Sequence, residues 1–143
     1  MTQAQTHRLV IPNDFDAARK AQAKVVQAAT AHGFDEDSLF AIRLALDEAL
    51  CNAVRHGNCN DPTKHVVVEY SICGDRLKVS VTDEGCGFVP DRLPDPTADE
   101  NLERPNGRGV MLMKAYMTDV SFNDQGNRVT MVKIRGCKGP KGE

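Results

Sequence analysis

Leu46-Asp47-Glu48-Ala49-Leu50-Cys51-Asn52-Ala53-Val54-Arg55-His56-Gly57 sets a carboxylate, Glu48, and an amide, Asn52, four residues apart. On a helix those positions share a face, with their Cβ atoms about 6 Å apart. Such a face offers one proton acceptor and one neutral oxygen ligand to the same small volume. The apolar residues around them, Leu39, Ile42, Leu46, Ala49, Leu50 and Ala53, recur at helical spacing and predict a buried stripe. Glu48 and Asn52 lie beside that stripe, at the edge of the core, where a pocket can open.

Outward from this helix, the caps and breaks of the chain order the other elements. Leu9-Val10-Ile11 reads as a short strand stopped by Pro12, and Asn13 or Asp14 caps a helix that ends near Gly33. Asp35-Glu36-Asp37-Ser38 opens the longer helix to about Arg55, with His56-Gly57 closing it. Val66 to Cys73 and Leu77 to Thr82 alternate as two strands around a Gly74-Asp75 turn. A helix is expected after Gly109, through Val110 to Tyr116. A last hairpin then joins Asp119–Phe122 to Val129–Ile134 across Asp124-Gln125-Gly126-Asn127. The order predicts a two-layer α/β (α+β) sandwich, with helices on one face of a mixed, mostly antiparallel sheet. The segment of about 89–106 carries four prolines, five acids and two arginines and is expected to be a functional loop, while the tail of about 136–143 is expected to fray.

At 143 residues the chain is expected to form a single domain, 1–143. Its net charge of -2 argues against nucleic-acid binding, and no stretch reaches the length of a membrane span. With no leader-like start, a cytoplasmic location is expected. Five cysteines, an odd number without a Cys-x-x-Cys pair, read as reduced thiols. Cys51, His56, Cys59 and His65 have the residue types of a zinc site. Their spacing disfavours one, because residues five apart on a helix point in different directions.

Two glycine signatures follow the helix. In Asp83-Glu84-Gly85-Cys86-Gly87-Phe88, a carboxylate at a strand end suits the exocyclic amine of adenine and opposes the carbonyl of guanine. Gly85 and Gly87 keep side chains off the base plane. The bland alternative is an Asx turn, common for Asp-x-Gly. In Asn106-Gly107-Arg108-Gly109-Val110, glycines entering a helix offer free N–H groups to an anion, with Arg108 and Arg104 in reach of phosphate oxygens. The alternative is an ordinary glycine-rich helix entry. Glu48 suits a general base and Asn52 an Mg²⁺ ligand; otherwise both are solvated helix-flank residues. No P-loop spacing and no nucleophile elbow occur.

The three motifs, in this order, resemble the Bergerat-type ATP-binding domain of the GHKL superfamily, which includes gyrase B, MutL, heat-shock chaperones and sensor histidine kinases. A chain this short looks most like the anti-sigma factor serine/threonine kinases of partner-switching systems. Glu48 to Gly57 resembles that family's N box, Asp83 to Phe88 its G1 box, and Leu102-Glu103-Arg104 through Gly109 to Met113 its lid end and G2 box. The resemblance implies ATP and Mg²⁺ as cofactors. It makes Glu48 the base that activates a partner serine or threonine, Asn52 the Mg²⁺ ligand, and Asp83 the adenine contact. Gly85 and Gly87 line the base and ribose, and Arg104, Gly107, Arg108 and Gly109 hold phosphates beneath a lid of about 89–106. It further implies a homodimer that binds a sigma factor and phosphorylates an anti-sigma factor antagonist. The lid departs from a phosphate-friendly surface: Asp91, Asp95, Asp99, Glu100 and Glu103 outnumber Arg92 and Arg104, so those acids must face solvent or Mg²⁺. A different reading is a nucleotide-gated binding module that sequesters a regulator without phosphotransfer, for which a base such as Glu48 is unnecessary.

Overall fold

Asp14 begins the first helix by a direct chemical act: its carboxylate accepts the Ala17 N–H at 2.8 Å, satisfying one of the donors that a helix start leaves open. The fold is taken from a computed structural model that describes residues 6–59, 61–85 and 105–135, with residues 105–110 as backbone only. Strand β1 (His7–Pro12) leads into α1 (Phe15–Ala31), and α2 (Glu36–Cys51) continues as a wider π-helical turn (Asn52–Gly57). Strands β2 (His65–Cys73) and β3 (Arg76–Asp83), helix α3 (Pro105–Tyr116), and strands β4 (Asp119–Phe122) and β5 (Arg128–Ile134) complete the order. Beyond α1, Gly33 takes a φ of +83°, the left-handed turn that lets the chain reverse into α2.

The sheet runs β1-β2-β3-β5-β4 and every ladder is antiparallel. The mostly antiparallel sheet expected from sequence is therefore antiparallel throughout the described residues. The hairpin at Gly74-Asp75 pairs Cys73 with Arg76, and the last hairpin pairs Phe122 with Val129, both as its turn residues predict. The strand β5 inserts beside β3, which leaves the short β4 at one edge and β1 at the other.

Strand periodicity decides which residues face the helices. Val66, Val68, Leu77, Val79, Val81 and Met131 are all buried, and they share one core with Ile42, Leu46 and Leu50 from α2, Met113 from α3 and Met117 just beyond it. Full burial of each large aliphatic contributes about 1.5–3 kcal/mol. Asp83 continues the inward series 77-79-81, pairing with Val66 at the end of β3. A carboxylate is thus aimed at the helical layer, not at solvent. That placement creates the site.

The expected helix after Gly109 starts earlier, at Pro105. Proline suits the first helical position, where its missing N–H costs nothing. Gly107, Arg108 and Gly109 consequently lie within the first turns, so among them the Gly107 N–H is left open by the i→i−4 ladder. Gly87, Arg104, most of the expected lid and the expected tail lie outside the described residues. Among the described residues, no helix is long and apolar enough to cross a membrane.

Candidate functional site

The end of α2 carries the first wall. At Asn52 the helix widens to π geometry, with the Asn58 N–H bonded to the Ala53 carbonyl five residues back at 2.8 Å. Single π turns inside helices occur often at functional sites. Here the wider turn buries Ala53 and Val54 while Asn52, Ala53, His56 and Gly57 line a cleft. The facing wall comes from the sheet: Val81 and Asp83 of β3, Phe122 of β4, and Gly126 to Val129 entering β5. Ala49 and Met113 close the apolar end. The cleft is open to solvent at its mouth, and the space between its walls is about 510 Å³ with that open solvent counted.

Asp83 sits in this cleft under unusual constraint. Its Oδ1 accepts the Gly85 N–H at 2.9 Å. Its backbone is held by Asn127 on both sides: the Asp83 N–H donates to the Asn127 carbonyl at 2.9 Å, and the Asn127 Nδ2 donates to the Asp83 carbonyl at 3.2 Å. A methyl group on Gly57 would collide with Asp83, lying 2.7 Å from Oδ1 and nearer still to Cγ and Oδ2. One on Gly85 would overlap the Gly57 carbonyl. Both glycines are required by close approach. Burial pushes the Asp83 carboxyl up to about 6, against the opposing pull of the Gly85 N–H and the more distant Lys64. A buried acceptor with an open flank invites a donor.

These features fit an adenine ring. The walls Ala49, Ala53, Val81, Met113 and Val129 offer an apolar slot for a flat base, and Asp83 offers the one anionic acceptor to its amine. Asn52 lines the same cleft nearer the helix flank, with an amide oxygen of the kind Mg²⁺ accepts. Among the described residues, no three His, Cys, Asp or Glu side chains gather as a metal site. An Asn52 amide oxygen would supply one position of an Mg²⁺ octahedron, with phosphate and water oxygens as suitable further ligands.

The structure brings Asn52 and Asp83 together in one cleft, with Gly85 bonded to Asp83 behind it. Glu48 is not among the lining residues. It lies one turn before Asn52 on α2, half-buried, with its carboxyl raised first by burial and then by the neighbouring Asp47. That direction suits a base poised to take a proton. Sequence reading passes over two residues of the cleft lining, Gly57 and Asn127, and two buried amides behind it, Asn58 and Asn13. Asn58 and Asn13 are buried, and Asn58 bonds to the turn after Asp83. Asn13 reads as a cap and Asn127 as a turn residue, and no pattern marks Asn58; the signal for Gly57 is its place at the end of the helix carrying Glu48.

Comparison with known proteins agrees with this geometry. Residues 11–133 match the model of the histidine kinase-like ATPase domain. An anti-sigma F factor of Clostridium perfringens is 35% identical over 103 residues, covering 68% of this chain and 73% of the relative. A serine-protein kinase RsbW of Listeria monocytogenes is 31% identical over 108 residues, covering 71% of this chain and 69% of the relative. The crystal structure of the RsbU and RsbW domains of Rv1364c from Mycobacterium tuberculosis superposes with a TM-score of 0.64 at 20% identity. That alignment covers 96% of this chain and 34% of the longer protein, and it speaks for the fold alone.

Proposed function

Because the chain belongs to the histidine kinase-like ATPase domain family, we propose that it is an ATP-dependent serine/threonine protein kinase of the partner-switching type. It binds a sigma factor or similar regulator and phosphorylates an anti-sigma factor antagonist. The observation that carries the reading is the convergence of Asn52 and Asp83 on one cleft, with Glu48 a turn away. The names of relatives at 35% and 31% identity, an anti-sigma F factor and a serine-protein kinase, point the same way.

In this mechanism Asp83 accepts the adenine amine, and the Gly57–Gly85 contact keeps side chains clear of the base. Asn52 contributes its amide oxygen to Mg²⁺, which neutralises the phosphate charge when bound. Gly107, Arg108, Gly109 and Arg104 hold the phosphates, Gly87 lines the base and ribose with Gly85, and the segment of about 89–106 covers the nucleotide. Glu48 takes the proton from the partner's serine or threonine hydroxyl as it attacks. Phosphoryl transfer then depends mainly on positioning and charge neutralisation. The same reading places the protein in the cytoplasm as a homodimer, with no direct contact to nucleic acid or membrane.

The test is transfer of labelled γ-phosphate to candidate antagonist proteins. The reading expects a labelled serine or threonine in one of them, lost in Glu48→Ala. Tight nucleotide-dependent partner binding with no label in any antagonist would instead favour the nucleotide-gated binding module.

A further inference from the structure

Asn58 is wholly buried, with 0% of its surface exposed, yet it is a polar residue at the end of a helix. Every hydrogen-bonding group it has is used. Its Oδ1 accepts the Glu84 N–H at 2.8 Å. Its Nδ2 donates to the Asn13 Oδ1 at 3.0 Å and to the His65 carbonyl at 2.9 Å. Its own N–H closes the π turn on Ala53, and its carbonyl accepts the Asp61 N–H at 2.9 Å. Only a neutral amide has both the acceptor and the two donors that this position demands.

The bond to Glu84 is the consequential one. Glu84 lies between Asp83, the carboxylate in the cleft, and Gly85, whose N–H holds that carboxylate. Gly57, the residue before Asn58, abuts both. The side chain of Asn58 therefore ties the turn carrying Asp83 to the helix end carrying Asn52. Asn127, the pairing of Asp83 with Val66 and the bond of the Glu84 carboxylate to the His65 N–H hold the turn from the sheet side; among the described residues, its hydrogen bond to the helix end is the one that Asn58 accepts.

We propose that Asn58 is a positioning residue for nucleotide selection: through the Glu84 N–H it holds Asp83 in place in the cleft that Asn52 also lines. The proposal rests on the reading of the cleft as an ATP site and adds the residue that holds its acceptor in place. Asn13 supplies the contrast. It bonds Asn58 from the opposite side and reaches the Asp61 carbonyl at 3.0 Å and the Val54 carbonyl at 3.4 Å, but among the described residues it makes no hydrogen bond to the turn after β3.

The experiment measures dissociation constants for Mg-ATP and Mg-GTP by calorimetry on the full chain, in wild type, Asn58→Ala and Asn13→Ala. Folding of each variant is checked by circular dichroism. Asn58→Ala is expected to lose roughly tenfold or more of the preference for ATP over GTP. Asn13→Ala is expected to melt earlier yet keep that preference within about twofold. An unchanged preference in folded Asn58→Ala, or an equal loss in both variants, overturns the proposal. Should Asn58→Ala not fold, hydrogen exchange of the wild-type Glu84 amide decides: strong protection is expected, and exchange as fast as an open turn overturns it. A wild type that binds neither nucleotide overturns the functional reading and this role together. A wild type that prefers ATP, beside an unaltered Asn58→Ala, overturns this role alone.

Discussion

Gly57→Ala adds one carbon to the most crowded point of the cleft. The new Cβ would lie 2.7 Å from the Asp83 Oδ1, against an ordinary contact of at least 3.4 Å, so that oxygen must retreat by about 0.7 Å and Oδ2 by more. Asp83 has little freedom to do so. Gly85 holds its carboxylate, and Asn127 holds its backbone through two bonds. The strain divides between the carboxylate and the π turn, at about 1–3 kcal/mol for overpacking of this kind. In a domain of this size each kcal/mol lowers the melting temperature by roughly 2–4 °C. A carboxylate moved by that distance no longer meets the adenine amine well, and a lost buried hydrogen bond costs about 1–3 kcal/mol, or roughly 5- to 150-fold in Kd. The assay is calorimetric titration with Mg-ATP beside a thermal melt, with Gly74→Asn as control. Gly74 sits at φ +62° in the β2–β3 turn with nothing within 4 Å of a would-be side chain, and asparagine accepts that conformation. Wild-type affinity in a folded Gly57→Ala would refute the steric argument and the role given to Asp83.

Asp83→Asn should have opposite effects on the empty and the loaded protein. The folded-state carboxyl is raised to about 6, above the unfolded value near 3.9, so stability from this group is full below that lower value and lost as pH rises through 6. Discounted for partial exposure, the neutral amide should add about 1–2 kcal/mol at pH 8 and almost nothing at pH 4, read as the pH dependence of melting. The same substitution should weaken ATP binding and abolish the proton release that wild type shows near pH 6 beyond that of ATP itself, measured by calorimetry in buffers of different ionisation enthalpy. Glu48→Ala should keep nucleotide and regulator affinity within about threefold while phosphotransfer falls at least a hundredfold in single-turnover labelling. Leu46→Ala, at a position with no exposed surface in the core beneath α2, should cost about 2–5 kcal/mol in urea unfolding without changing nucleotide preference.

Much of the fold was legible because local chemistry dictates it. Asp14 caps α1 as its position before an apolar-periodic run suggests, and Gly74-Asp75 turns the first hairpin where alternation breaks. The inward placement of Asp83 follows from counting by twos along β3. What was not legible depends on contacts between distant segments. The pairing of β5 with β3 joins residues some fifty positions apart, and no spacing in the sequence marks it. The π turn at Asn52–Gly57 preserves the helix end expected at Gly57, and of the pair Glu48 and Asn52 the cleft lining includes Asn52 alone. Asn13 reads as a helix cap and nothing in the sequence singles out Asn58, because buried amides have the same sequence appearance as exposed ones. Only their partners, 45 residues apart, reveal their work.

The most direct measurement is titration of Mg-ATP into the purified, folded chain, with Mg-GTP and the Asp83→Asn variant alongside. The account predicts saturable heat with ATP, at least roughly tenfold weaker binding of GTP, and a matching loss of ATP affinity in the variant. No heat with either nucleotide, or equal affinity for both in wild type and variant, would contradict it.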